Sequence, residues 1–88
     1  MEDKNTLFQF PCSYPLKVMG RNTSEFYSAV SAIVEKHVAP GGEVAYSSRT
    51  SSGEKYLSIT ATFSAESQEQ LHRLYEELNR HYLVLMTL

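Results

Sequence analysis

Cysteine is almost missing from this chain. The single Cys12 leaves no internal disulfide to form, and no paired-cysteine loop of the metal-carrier kind. Histidine is sparse and scattered. His37, His72 and His81 form no pair at metal-ligand spacing, and Cys12 has no nearby His or Cys, so neither a metal nor a cofactor is expected. Nothing in the sequence marks a base that would activate Cys12 as a nucleophile. Long apolar runs are also absent: no segment approaches the roughly 20 residues needed to span a bilayer. The stretch Met1-Glu2-Asp3-Lys4-Asn5 is polar and no apolar run follows, unlike a secretion signal. The expected setting is soluble, reducing and cytoplasmic. A basic excess is missing too. The net charge of −2 and pI near 5.9 give no global attraction to nucleic acid or an anionic membrane, which leaves only a local basic patch.

What is present specifies one small domain over residues 1–88, with residues 1–10 as a loose arm whose Leu7, Phe8 and Phe10 fold back onto the body. A chain of this size buries about 60% of its unfolded surface, enough for one thin core and too little for a deep enclosed active site. The organising stretch is Tyr56-Leu57-Ser58-Ile59-Thr60-Ala61-Thr62-Phe63. It alternates without a break and sets Leu57, Ile59, Ala61 and Phe63 on one side, the pattern of a half-buried central strand. Pro11 and Pro15 delay regular pairing, so the first strand is expected over Leu16–Met19, ended by Gly20.

Asn22-Thr23-Ser24-Glu25 reads as a helix start capped by Asn22, followed by a stripe of Phe26, Ala29, Val30, Ile33 and Val34. Pro40-Gly41-Gly42 stops that helix, and His37 in its last turn suits the dipole. Val44–Arg49 reads as a polar edge strand, joined through Thr50-Ser51-Ser52-Gly53 to the central strand as a hairpin. A second helix opens near Ser64-Ala65-Glu66-Ser67, buries Leu71, Leu74, Tyr75 and Leu78, carries the pairs Glu69–Arg73 and Glu76–Arg80, and stops at Asn79. Tyr82–Leu88 is the last strand.

The order is βαββαβ. Right-handed crossovers make each βαβ unit skip one strand position, which the other unit fills. The predicted fold is α+β and ferredoxin-like: a four-stranded antiparallel sheet of order 4-1-3-2 with both helices on one face, as in ACT domains. The expected core is Leu16, Val18, Val30, Ile33, Leu57, Ile59, Phe63, Leu71, Leu74, Leu78, Val84 and Met86, with Leu83 and Leu85 turned outward. Lys17, Met19, Tyr56, Ser58, Thr60, Thr62, Leu83 and Leu85 then form an open sheet face. The apolar members Met19, Tyr56, Leu83 and Leu85 are the candidate interface for a homodimer or another partner.

The candidate ligand site is Gly20, Arg21 and Asn22, at the junction of the first strand and the first helix. Free N–H groups and the helix dipole favour an anion there, and Arg21 can fork onto a carboxylate or phosphate. Tyr46 and Tyr56 are candidates for stacking on bases, and Ser47–Gly53 for a binding loop. RNA-binding domains of this architecture stack bases on aromatics of the central strands. Here those positions are mostly Ser, Thr, Lys and Met, which argues against RNA. Small acyl-phosphate hydrolases of this fold need a strand asparagine, and Asn5, Asn22 and Asn79 all fall outside strands. No catalytic residue emerges, and a non-catalytic module that binds a small molecule or a protein is the expectation.

Phe10-Pro11, Tyr14-Pro15-Leu16-Lys17-Val18-Met19-Gly20, the Ser51-Ser52-Gly53 turn with Tyr56-Leu57-Ser58, Tyr75-Glu76-Glu77-Leu78 and the ending Val84-Leu85-Met86-Thr87-Leu88 resemble the YbeD-like family of small bacterial proteins. The resemblance covers nearly the whole chain, and Lys17-Val18-Met19-Gly20 is its most specific piece. It implies the same βαββαβ fold, similar to ACT domains, a bacterial cytoplasmic protein, and no defined catalytic residue. Some relatives carry a label of lipoate-related regulation. Leu85 stands where the family pattern allows a charge.

Overall fold

A computed structural model of the chain describes residues 9–88. Most of the expected arm, including Leu7 and Phe8, lies outside the described residues. Phe10 is described, and its ring packs partly buried on the core. The elements run β1 (Cys12–Arg21), α1 (Ser24–His37), β2 (Ala45–Thr50), β3 (Tyr56–Ala65), α2 (Gln68–Arg80) and β4 (Val84–Thr87). Every pairing is antiparallel and the spatial order is β2-β3-β1-β4, the order the crossover rule dictates. This is the ferredoxin-like architecture.

The core lies between the sheet and the helices. Leu16 and Val18 of β1 and Leu57, Ile59, Ala61, Phe63 and Ala65 of β3 meet Phe26, Val30, Ile33 and Val34 of α1 and Leu71, Leu74 and Leu78 of α2. Strict alternation along β3 and three- and four-residue spacing along the helices supply these faces. Ser67 caps α2 by accepting from the Gln70 backbone N–H at 3.1 Å. The Gln70 side chain in turn accepts from the Glu66 N–H and donates to the His37 carbonyl at 2.7 Å, tying the start of α2 to the end of α1.

Three local expectations are corrected. First, β1 begins at Cys12 and runs through Pro15. Strand β4 reaches β1 only from Val18 to Gly20, so Pro15 sits where β1 has one neighbour, and such an edge tolerates proline. Second, Gly20 does not end the strand. It is a paired β1 residue opposite Leu57 and Val84, and a Cβ there would stand 2.5 Å from the Phe26 ring and 2.7 Å from the Leu83 carbonyl oxygen. Glycine is required for close approach.

Third, β4 is short and shifted. Val84 pairs with Gly20 but Met86 pairs with Met19, so Leu85 is an extra residue, a β-bulge. The bulge reverses the expected facing beyond it. Met86 leaves the core and lies 45% exposed, while Thr87 takes the inward place beside Val18. Leu83, expected outward, packs with Val84 against the core.

An open cationic sheet face as the candidate functional site

The helices cover one side of the sheet, and among the described residues no element covers the other. Residues 16, 18 and 20 of β1 point to the core, so Lys17, Met19 and Arg21 point away. The strand register carries this across the sheet. Ser47, Thr60 and Lys17 form one row, and Arg49, Ser58, Met19 and Met86 form the next. Beyond them Tyr56 lies opposite Arg21, whose guanidinium carbon sits 5.9 Å from the ring centroid, a cation–π pair.

Charge is sorted between the two sides. Among the described residues the charged ones on strands are Lys17, Arg21 and Arg49, all cations. The described acids are all glutamates, and none lies on a strand: Glu25, Glu35, Glu69, Glu76 and Glu77 are on helices, Glu43, Glu54 and Glu66 in connections. The ion pairs among the described residues also lie on the helices: Lys36–Glu77 at 2.7 Å, His37–Glu77 at 2.8 Å and Arg80–Glu76 at 3.7 Å. The expected Glu69–Arg73 pair is not among them. Lys36, with His37 behind it, holds the Glu77 carboxyl below its usual range. On the same side, burial and a hydrogen bond to Glu35 push the Tyr46 hydroxyl upward, and burial and a hydrogen bond to Tyr14 do the same for Tyr75. Tyr46 therefore faces the helices and offers no ring to the open face.

At the centre of the open face is a shallow concavity of about 350 Å³, lined by Lys17, Ser47, Ser48, Arg49, Ser58 and Thr60. Among the described residues neither Lys17 nor Arg49 makes a side-chain hydrogen bond or an ion pair. A second groove, about 420 Å³, lies where β1 and β3 meet the approach to β2, with Cys12, Glu43, Val44 and Phe63 on its walls and no cation.

The candidate ligand residues Gly20, Arg21 and Asn22 do not converge. Gly20 is buried under Phe26, Arg21 lies on the open face over Tyr56, and Asn22 turns to the hairpin. The Asn22 side chain donates to the Glu54 carbonyl at 3.1 Å and its backbone N–H to the Lys55 carbonyl at 3.0 Å. The cap of α1 is instead Thr23, whose hydroxyl accepts from the Phe26 N–H at 3.1 Å. Asn22 is thus a latch between the helix entry and the β2–β3 turn. Of the candidate interface residues, Met19 and Tyr56 lie on the open side, Leu85 is the exposed bulge residue and Leu83 packs on the core; Met86 joins the open side. Sequence reasoning missed Arg49 as a member of this face. Its position in a six-residue strand hairpinned to β3, two residues from Ser47, was the available signal.

Among the described residues no helix is long and apolar enough to cross a membrane. Comparison with known proteins places the fold among relatives. A UPF0250 protein of Chromobacterium violaceum is 37% identical over 87 residues, covering 99% of this chain and 98% of that protein. A UPF0250 protein of Neisseria gonorrhoeae strain FA 1090 is 39% identical, covering 99% and 96%. The solution structure of protein HP0495 from H. pylori superposes with a TM-score of 0.75 at 16% identity, over 92% of this chain and 85% of that one. The ACT domain from the GTP pyrophosphokinase of Chlorobium tepidum superposes with a TM-score of 0.64 at 8% identity, over 86% and 94%. Those two likenesses show a shared ACT-like, ferredoxin-like fold. The YbeD-like resemblance read from the residues is borne out, and with residues 5–88 matching the model of a protein of unknown function, DUF493, the chain belongs to the DUF493/UPF0250 family.

Proposed function

We propose that this chain is a non-catalytic regulatory or binding module whose working surface is the open sheet face. The observation that carries the reading is the sorting of charge: among the described residues every charged strand residue is a cation, and no helix covers the side they occupy. Single-sign surfaces steer oppositely charged ligands. The non-catalytic part is supported by the side-chain contacts. Among the described residues no Ser, Thr or Cys side chain bonds a histidine; His37 is engaged by Glu77, and His81 Nδ1 accepts from the Leu83 N–H. The ACT-like fold suits a small sensing or docking domain.

A lipoate-related role belongs to the same proposal. The apolar tail of lipoate would suit the strip formed by Met19 paired with Met86, one row from Lys17. The test is affinity capture from the native cell with the wild-type chain and two charge reversals. Lys17→Glu/Arg49→Glu alters the open face, and Arg73→Glu alters an exposed cation on α2. The expected result is loss of the captured species with the first variant and retention with the second. The opposite pattern, with both variants folded by circular dichroism, refutes the assignment of the surface.

A further inference from the structure

We propose that the concavity between Lys17 and Arg49 is a binding site for the phosphate group of a small phosphorylated molecule. The inference rests on the open face being the working surface and names the ligand chemistry there. Lys17 on β1 and Arg49 on β2 flank β3 from opposite sides, in neighbouring register rows. Two strand spacings and one two-residue step put their Cα atoms about 12 Å apart, so two long side chains converge on a group seated above β3. Between them the concavity is lined by the hydroxyl-bearing residues Ser47, Ser48, Ser58 and Thr60.

That donor set fits phosphate. A phosphate monoester carries about −1.5 to −2 charge at pH 7 and three acceptor oxygens. Arg supplies a planar fork of donors, Lys a point charge, and hydroxyls complete the set. A carboxylate has two oxygens and one charge, which leaves one cation unused. A nucleic-acid strand needs a row of stacking rings, and on this face Tyr56 is the one described aromatic, already covered by Arg21. Among the described residues no strand carries an acid, and neither Lys17 nor Arg49 makes an ion pair.

The test is a titration of the ¹⁵N-labelled chain, read by amide chemical shifts, with inorganic phosphate, adenosine 5′-monophosphate, adenosine and acetate at low salt. Phosphate and the monophosphate are expected to move the signals of Lys17, Ser47, Arg49, Ser58 and Thr60 and to saturate. Adenosine and acetate are expected to leave them in place. Lys17→Ala and Arg49→Ala should each weaken binding at least tenfold, while Arg73→Ala leaves it unchanged. Shifts confined to inorganic phosphate show an adventitious ion only and overturn the proposal. Affinity that grows with oligonucleotide length, without saturation by the monophosphate, overturns it in favour of nucleic acid. A silent titration in which a captured partner still protects the open face from hydrogen exchange overturns the phosphate assignment and leaves the surface assignment standing.

Discussion

Replacing Gly20 by alanine tests the packing logic of this fold most sharply. The added carbon would stand 2.5 Å from Phe26 Cε1 and 2.7 Å from the Leu83 carbonyl oxygen. Carbon atoms rest at about 3.5–4.0 Å, so the ring must retreat by roughly 1 Å or more. Phe26 is fully buried between sheet and helix and has no solvent to retreat into. The carbonyl is backbone at the entry to β4, beside the bulge, and yields only by disturbing that short strand. Overpacking of this kind costs about 1–3 kcal/mol, and two unyielding neighbours put Gly20→Ala near the upper end. At about 4–8 °C per kcal/mol for a domain of this size, the midpoint should fall by roughly 12–20 °C. Thermal and urea unfolding followed by circular dichroism measures it. Phe26→Leu in the same chain should recover part of the loss, because a smaller side chain relieves the ring clash and leaves only the carbonyl. A midpoint for Gly20→Ala within about 2 °C of wild type would refute the close-approach argument.

Other expectations follow from particular contacts. Thr23→Ala should cost about 1 kcal/mol by removing the α1 cap, and Asn22→Ala clearly less, since Asn22 latches the hairpin at an exposed site; equal urea-midpoint losses would contradict this. Glu77 has a folded pKa below its unfolded value of about 4.5. Its contribution is therefore present above the unfolded value and lost as pH falls through the folded one. Glu77→Gln should flatten the acid limb of a stability–pH profile and change little of its shape above about pH 6. Tyr46 and Tyr75 hold their protons more tightly folded than unfolded, so stability should fall as pH rises above about 10, less so in Tyr75→Phe. Ultraviolet titration should show Tyr46 and Tyr75 ionising later than a free tyrosine.

The fold was legible because its signals are periodic. Alternation from Tyr56 to Phe63 and helical stripes at Phe26–Val34 and Leu71–Leu78 fix faces, and the crossover rule then leaves a single strand order. What failed was what periodicity does not encode. A bulge at Leu85 inserts one residue and reverses the facing beyond it, so Met86 and Thr87 exchanged places relative to strict alternation. Gly20 carries no sequence mark to separate a turn from close packing, because the reason for it, Phe26, approaches from another element. Asn22 and Thr23 are both good caps, and the choice between them is made by a long-range contact to Lys55. The candidate site was legible in its residues and illegible in its sum. The net charge of −2 averages the strands with the helices and conceals a face on which all the described charges agree.

That agreement in sign has a consequence for self-association. Two copies meeting open face to open face would set Lys17, Arg21 and Arg49 of one against the same three of the other. Such contact is opposed at low ionic strength and eased as salt shortens the screening length to about 10 Å at 0.1 M. A symmetric dimer through this face would tighten as salt is added, whereas contact with an acidic partner would loosen. The surface thus distinguishes self from non-self by its response to salt, and sedimentation at two ionic strengths reads the difference directly.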